Sequence, residues 1–153
     1  MLASFGGPAG LTAYVRSLGD RTTRLDRIET ELNEAKPGDP RDTTTPAAML
    51  DTMQRLLIGD ALSASSRDRL IGWLVASKTG GKRLRAGLPA DWRVGDKTGG
   101  GNNGTANDVA IAFPPGRAPI LIAAYYTESA AISDDARNTV IAEAGRLAVA
   151  GLG

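Results

Sequence analysis

Ile111-Ala112-Phe113-Pro114-Pro115-Gly116-Arg117-Ala118-Pro119-Ile120-Leu121-Ile122 sets two apolar runs on either side of a Pro-Pro-Gly turn. Proline locks φ and glycine accepts the conformations a tight reversal needs, so the chain should fold back here. The two runs then pair as an antiparallel hairpin. Upstream, Val109, Ile111 and Phe113 alternate with small residues; downstream, Ile120 to Thr127 is almost continuously strand-like. Trp92 to Thr98 offers a third strand with the same residue preferences.

Outside this region the apolar period changes from two to about 3.6. Pro8 suits the first turn of a helix whose face is Leu11, Tyr14, Val15 and Leu18, stopped by Gly19. Thr45-Pro46 reads as an N-cap followed by proline, with Met49, Leu50, Met53, Leu56 and Leu57 as the stripe and Gly59 as the end. A further helix starts near Ser65 or Ser66 and turns Leu70, Ile71 and Leu74 inward; Gly80-Gly81 ends the helical part. Ser133 caps a last helix with the stripe Val140, Ile141, Ala144, Leu147 and Ala148.

The fold class is therefore α+β, an antiparallel sheet packed against helices. Residues 1–90 form a helical portion containing a long loop at 24–45, and residues 91–153 carry three strands and the C-terminal helix. A three-stranded sheet with a helix on one face would be small and exposed, so the chain reads as part of a larger α+β fold.

Composition removes several function classes. The 18 basic and 17 acidic side chains give a net charge of +1, with no field to gather nucleic acid or an anionic membrane surface. Cysteine and histidine are both absent, which excludes disulfides, thiolate metal sites and imidazole bases. Proton chemistry falls to carboxylates, lysines or tyrosines. No stretch approaches the roughly 20 apolar residues of a membrane span, and the opening residues lack the form of a secretory signal.

Two segments carry chemistry. The first is the loop Arg24-Leu25-Asp26-Arg27-Ile28-Glu29-Thr30-Glu31-Leu32-Asn33-Glu34, continued by Pro37-Gly38-Asp39-Pro40-Arg41-Asp42-Thr43-Thr44. Most charged loops are merely solvated, but an aperiodic stretch this long inside a compact domain is commonly functional. Arg27 and Asp42 can pair across its neck. Glu29 and Asn33 stand four apart, so a single helical turn lets carboxylate and amide hold one water as a general-base site.

The second is Val94-Gly95-Asp96-Lys97-Thr98-Gly99-Gly100-Gly101. A phosphate-binding loop is excluded because Asp96, not glycine, precedes the lysine and glycines rather than a helix follow. A lysine and a hydroxyl at a strand end suit a carboxylate ligand, and the glycines let substrate approach a backbone N–H.

Lys97-Thr98-Gly99 is one of three motifs of class A β-lactamases and penicillin-binding proteins. The long loop resembles the omega loop of the class A enzymes almost residue by residue, through Arg24-Leu25-Asp26-Arg27, Glu29, Glu31-Leu32-Asn33-Glu34-Ala35, Pro37-Gly38-Asp39 and Arg41-Asp42-Thr43-Thr44. Gly6-Gly7-Pro8 and Leu88-Pro89-Ala90-Asp91-Trp92 are also similar. The resemblance is to the C-terminal half of a class A serine β-lactamase and spans essentially the whole chain.

That resemblance implies roles by position. Glu29 resembles the base that activates the deacylating water and Asn33 its water-holding partner. Lys97, Thr98 and Gly99 resemble the strand that receives the β-lactam carboxylate, and Gly100 the donor of half the oxyanion hole through its backbone N–H. Arg83 resembles an arginine that supports the carboxylate pocket in one branch of the family. The resemblance further implies β-lactam hydrolysis through an acyl-enzyme, no metal or organic cofactor, and a periplasmic or secreted location.

Two departures stand out. Thr30 follows Glu29 where many members have proline after a usually cis bond, so the chain needs a cis non-prolyl peptide or a rearranged loop. Ser-x-x-Lys and Ser-Asp-Asn are absent, and Ser63, Ser65, Ser66, Ser77, Ser129 and Ser133 all lie outside the first pattern. The alternative is thus a non-catalytic fragment or split-enzyme half needing an N-terminal complement. A penicillin-binding transpeptidase shares the Lys-Thr-Gly strand, but a deacylating loop would defeat its stable acylation.

Overall fold

A computed structural model describes residues 2–151. After a 3-10 turn at Ala3–Phe5, α1 runs Gly7–Ser17, α2 Pro46–Leu57, α3 Ala64–Val75 and α4 Leu84–Gly87; strands β1 Arg93–Gly101, β2 Thr105–Phe113 and β3 Ile120–Tyr126 follow, then α5 Asp134–Ala150. The caps explain the starts. Thr45 accepts from the Ala48 N–H, Ser63 from Ser66 and Ser133 from Ala136, each satisfying a donor the first helical turn leaves open. The third helix therefore begins at Ala64, ahead of the expected Ser65 or Ser66, because Ser63 is the cap.

The sheet is antiparallel in the order β1-β2-β3, with Thr98 opposite Asp108 and Gly100 opposite Ala106. Two findings correct the sequence reading. First, β1 continues through the glycines to Gly101, since pairing with β2 supplies the order that glycine lacks by itself. Second, helices cover both faces. Leu84, Leu88 and Ile141 of the α4–α5 side pack on Val94, Ala106, Ala110, Ala112 and Ile122; Met53, Leu57 and Ile71 of α2 and α3 pack on Ile111 from the other side. The unbroken apolar run at residues 109–113 in β2 follows, because both faces of this strand are buried there.

The stripe expected on α5 is also corrected. Ile141 and Gly145 point inward, whereas Val140 and Leu147 are 46% and 58% exposed. Gly87 and Gly145 decide this: a Cβ on Gly87 would overlap the Ala142 carbonyl oxygen, and one on Gly145 would lie 3.1 Å from that of Leu84, so the bare backbone of the two glycines lets α5 approach α4. No helix among the described residues is long and apolar enough to cross a membrane.

Candidate functional site

Two buried aspartates tie the 24–45 loop to the body. Asp20 follows α1 and accepts from the backbone N–H groups of Thr22 and Thr23 and from the Thr52 hydroxyl of α2. Asp42 accepts from the N–H groups of Asp26 and Arg27 at 2.7 and 2.9 Å and from Arg27 Nε at 2.6 Å. Burial pushes the Asp42 carboxyl up, but these backbone donors and the guanidinium outweigh it and hold the group below the usual carboxylate range. Arg27 also pairs with Glu34, and Arg24 N–H donates to the Thr43 carbonyl at 2.9 Å, so the neck is closed by both backbone and side chains.

Within this frame the chain makes a 3-10 turn at Glu31–Asn33, and Asn33 Nδ2 donates directly to Glu29 Oε2. The peptide between Glu29 and Thr30 is cis. The loop docks on the sheet through backbone: Asn102 N–H donates to the Asn33 carbonyl at 2.8 Å. Gly101 fits here because a Cβ would stand 2.8 Å from that same carbonyl.

Lys97 and Thr98 lie on opposite faces of β1, as neighbours in a strand must. A single anion can meet both only at the open edge of β1, the outer strand of the sheet. Lys97 is exposed and its ammonium donates to the Thr98 carbonyl at 2.6 Å. Below them, the buried Asp96 carboxylate receives Arg85, with Nε at 2.8 Å. This pair pins the residue immediately before Lys97.

A cleft of about 560 Å³ brings Asn33, Lys97, Thr98, Gly99 and Gly100 together with Arg27 and Asp42. Glu29 and Arg83 are not among its lining residues. Arg83 lies behind the strand end, with Nη1 donating to the Gly99 and Asn107 carbonyls at 2.6 Å each and Nε to Asn138 at 2.9 Å. It braces the strand pair from the α5 side.

The chain belongs to the β-lactamase enzyme family, whose family model matches residues 1–152, and within it to class A. It is 57% identical to the β-lactamase AST-1 of Nocardia asteroides over 100% of this chain and 49% of that protein. It is 53% identical to the carbapenem-hydrolyzing β-lactamase KPC of Klebsiella oxytoca, over 100% of this chain and 52% of the relative. Among solved structures, an ancestral class A β-lactamase superposes with a TM-score of 0.95 at 67% identity, covering 98% of this chain and 57% of its own. The chain spans about half the length of the curated relatives it matches.

Several residues that shape the site were not singled out in the sequence. Asp96 served there only to exclude a phosphate loop, and Arg85, Asp108 and Thr79 drew no comment. For Asp108 the one signal is a carboxylate directly before the apolar run at residues 109–113, since such a residue is buried only with a partner; Asp96, next to Lys97, gives no such signal.

Proposed function

We propose that this chain supplies the deacylation machinery and the carboxylate-binding strand of a class A serine β-lactamase, an antibiotic-resistance hydrolase exported to the periplasm or secreted. The observation that carries the reading is the Glu29–Asn33 hydrogen bond on a loop docked by Asn33 onto the strand of Lys97 and Thr98. A carboxylate beside an amide donor can hold and deprotonate a water.

In this reading a serine outside the 153 residues attacks the lactam carbonyl and forms an ester as the C–N bond breaks, the serine proton passing to the lactam nitrogen. Lys97 and the Thr98 hydroxyl hold the substrate carboxylate, with Arg83 fixing the strand that presents them. Glu29 takes a proton from water as the oxygen adds to the ester carbonyl. The Gly100 N–H stabilises the oxyanion. Collapse breaks the ester C–O bond, and the proton on Glu29 returns to the serine oxygen. Arg27 and Asp42 act as the structural clasp of the loop.

A second reading makes the chain one half of a two-piece protein, completed by an N-terminal β-lactamase segment. It is supported by the outer edge of β3, which no strand among the described residues pairs, and by exposed Val140 and Leu147 on α5.

A chromogenic cephalosporin assay tests both. The chain alone should give no turnover, and adding the N-terminal segment of a relative should restore it; turnover by the chain alone sinks the mechanism. In the restored enzyme, Glu29→Gln should leave acylation and slow steady-state turnover by roughly 10²- to 10⁴-fold, the usual contribution of a general base. An unchanged steady state removes Glu29 from the role.

A further inference from the structure

The Thr98 hydroxyl is the outer end of a file of hydroxyls that runs back to a buried ion pair. Thr98 Oγ1 lies 2.7 Å from Thr79 Oγ1, Thr79 Oγ1 lies 3.5 Å from Ser77 Oγ, and Ser77 Oγ donates to Asp96 Oδ2 at 3.3 Å. Asp96 is buried and its other oxygen is held by Arg85. Ser77 and Thr79 belong to the segment between α3 and α4, so this file ties that segment to β1.

A hydroxyl has one proton to give and can accept twice. The Ser77 proton goes to Asp96, which leaves the Ser77 oxygen as an acceptor. The single proton of Thr79 then has two possible acceptors, Ser77 at 3.5 Å or Thr98 at 2.7 Å. The first arrangement draws the Thr98 proton inward toward Thr79. The second leaves the Thr98 proton free to point at the open edge of β1. An anion at that edge favours the second, since a hydroxyl donating to a carboxylate makes a short, charge-assisted bond.

We propose that Thr79 is a positioning and specificity residue: its hydroxyl donates to Thr98 when a carboxylate-bearing ligand is bound, turning the one Thr98 proton toward the ligand. The inference rests on the carboxylate-pocket reading of Lys97 and Thr98. It adds that discrimination between anionic and neutral ligands depends on a residue outside the Lys-Thr-Gly motif. Removing the Thr79 hydroxyl lets the Thr98 rotor settle in any orientation and weakens binding only where its proton is needed.

The experiment titrates the isotopically labelled full chain with benzylpenicillin and, separately, with its methyl ester, following the Lys97 and Thr98 resonances. Thr79→Val should weaken benzylpenicillin binding roughly tenfold, the size of one hydrogen bond to a charged group, and leave the ester unchanged. Thr79→Ser should restore it. Equal benzylpenicillin affinity in Thr79→Val and the parent overturns the proposal, and so does an equal loss for both ligands, which would make Thr79 structural. Thr98→Val and Lys97→Ala separate the two layers. If these bind benzylpenicillin as the parent does, or if the parent resonances do not respond, the carboxylate-pocket reading fails and the inference falls with it.

Discussion

Arg27 reaches Asp42 twice, through its backbone N–H on Oδ1 at 2.9 Å and its guanidinium Nε on Oδ2 at 2.6 Å. The two residues are fifteen apart in sequence and close the loop that carries Glu29. The Asp42 side chain is 3% exposed and that of Arg27 16%, so the pair is partly buried. Removing Asp42 leaves Arg27 paired with Glu34 but takes the acceptor from the Asp26 and Arg27 N–H groups, and removing Arg27 takes the one cation from the Asp42 carboxylate.

Asp42→Ala should therefore destabilise the chain by roughly 1–3 kcal/mol, the cost of leaving such donors unsatisfied, and Arg27→Met/Asp42→Ala should lose less than the sum of the two single variants. Urea unfolding of the parent, the single variants and the double variant measures the coupling. Additive losses would show that the pair is not coupled. The carboxyl of Asp42 sits below its ordinary range, so its contribution is present above the unfolded value near 3.8 and disappears as the pH falls below it.

Asp108 behaves in the opposite sense. Burial first, and then the neighbouring Asp96, push its carboxyl up to about 6, against the backbone donor of Leu84 and the charge of Arg83. One oxygen accepts from Leu84 N–H at 3.0 Å and the other has no partner. The folded chain holds this proton more tightly than the unfolded chain. The stability so gained is complete below about pH 4 and is lost as the pH rises to about 6. Asp108→Asn should flatten thermal stability across that window, and equally steep profiles for parent and variant would contradict the assignment. The lowered carboxyls of Asp20, Asp26 and Asp42 act in a separate window, below 3.8.

Gly80 and its neighbour Gly81 offer a paired test of how tightly Asp96 is held. A Cβ on Gly80 would overlap the Asp96 carboxylate, while one on Gly81 meets nothing within 4 Å. Asp96 cannot step aside without breaking its pair with Arg85. Gly80→Ala should cost at least the roughly 1–3 kcal/mol of an overpacked core, and Gly81→Ala well under that. Thermal melts that rank the two variants in the reverse order would show that the Arg85–Asp96 pair yields easily.

Most of the element plan was legible because local signals agreed with one another. Thr45-Pro46 and Ser133 began helices where their side chains cap, and Pro114-Pro115-Gly116 turned the chain between β2 and β3. The expected contact of Arg27 with Asp42 was equally local in kind and follows from charge; Glu29 and Asn33 were expected to share a water, and in the structure the amide donates to the carboxylate directly. Where the reading slipped, at the stripe of α5 and the end of β1, two local solutions were equally good.

The sequence by itself determined the class of fold, the positions of its turns and caps, and the two motifs, since each rests on interactions between residues near in the chain or on side-chain chemistry alone. Only the tertiary structure decided which row of α5 is buried, because Val140 and Leu147 satisfy the helical period as well as Ile141 and Gly145 do, and the choice depends on how closely the Leu84 backbone can approach. It alone also brought helices to both faces of the sheet, sealed Asp96 and Asp108 between strand and helix, and set Thr79 beside Thr98. Burial and long-range hydrogen bonds are properties of the assembled packing, and no periodicity along the chain encodes which distant segment will supply them.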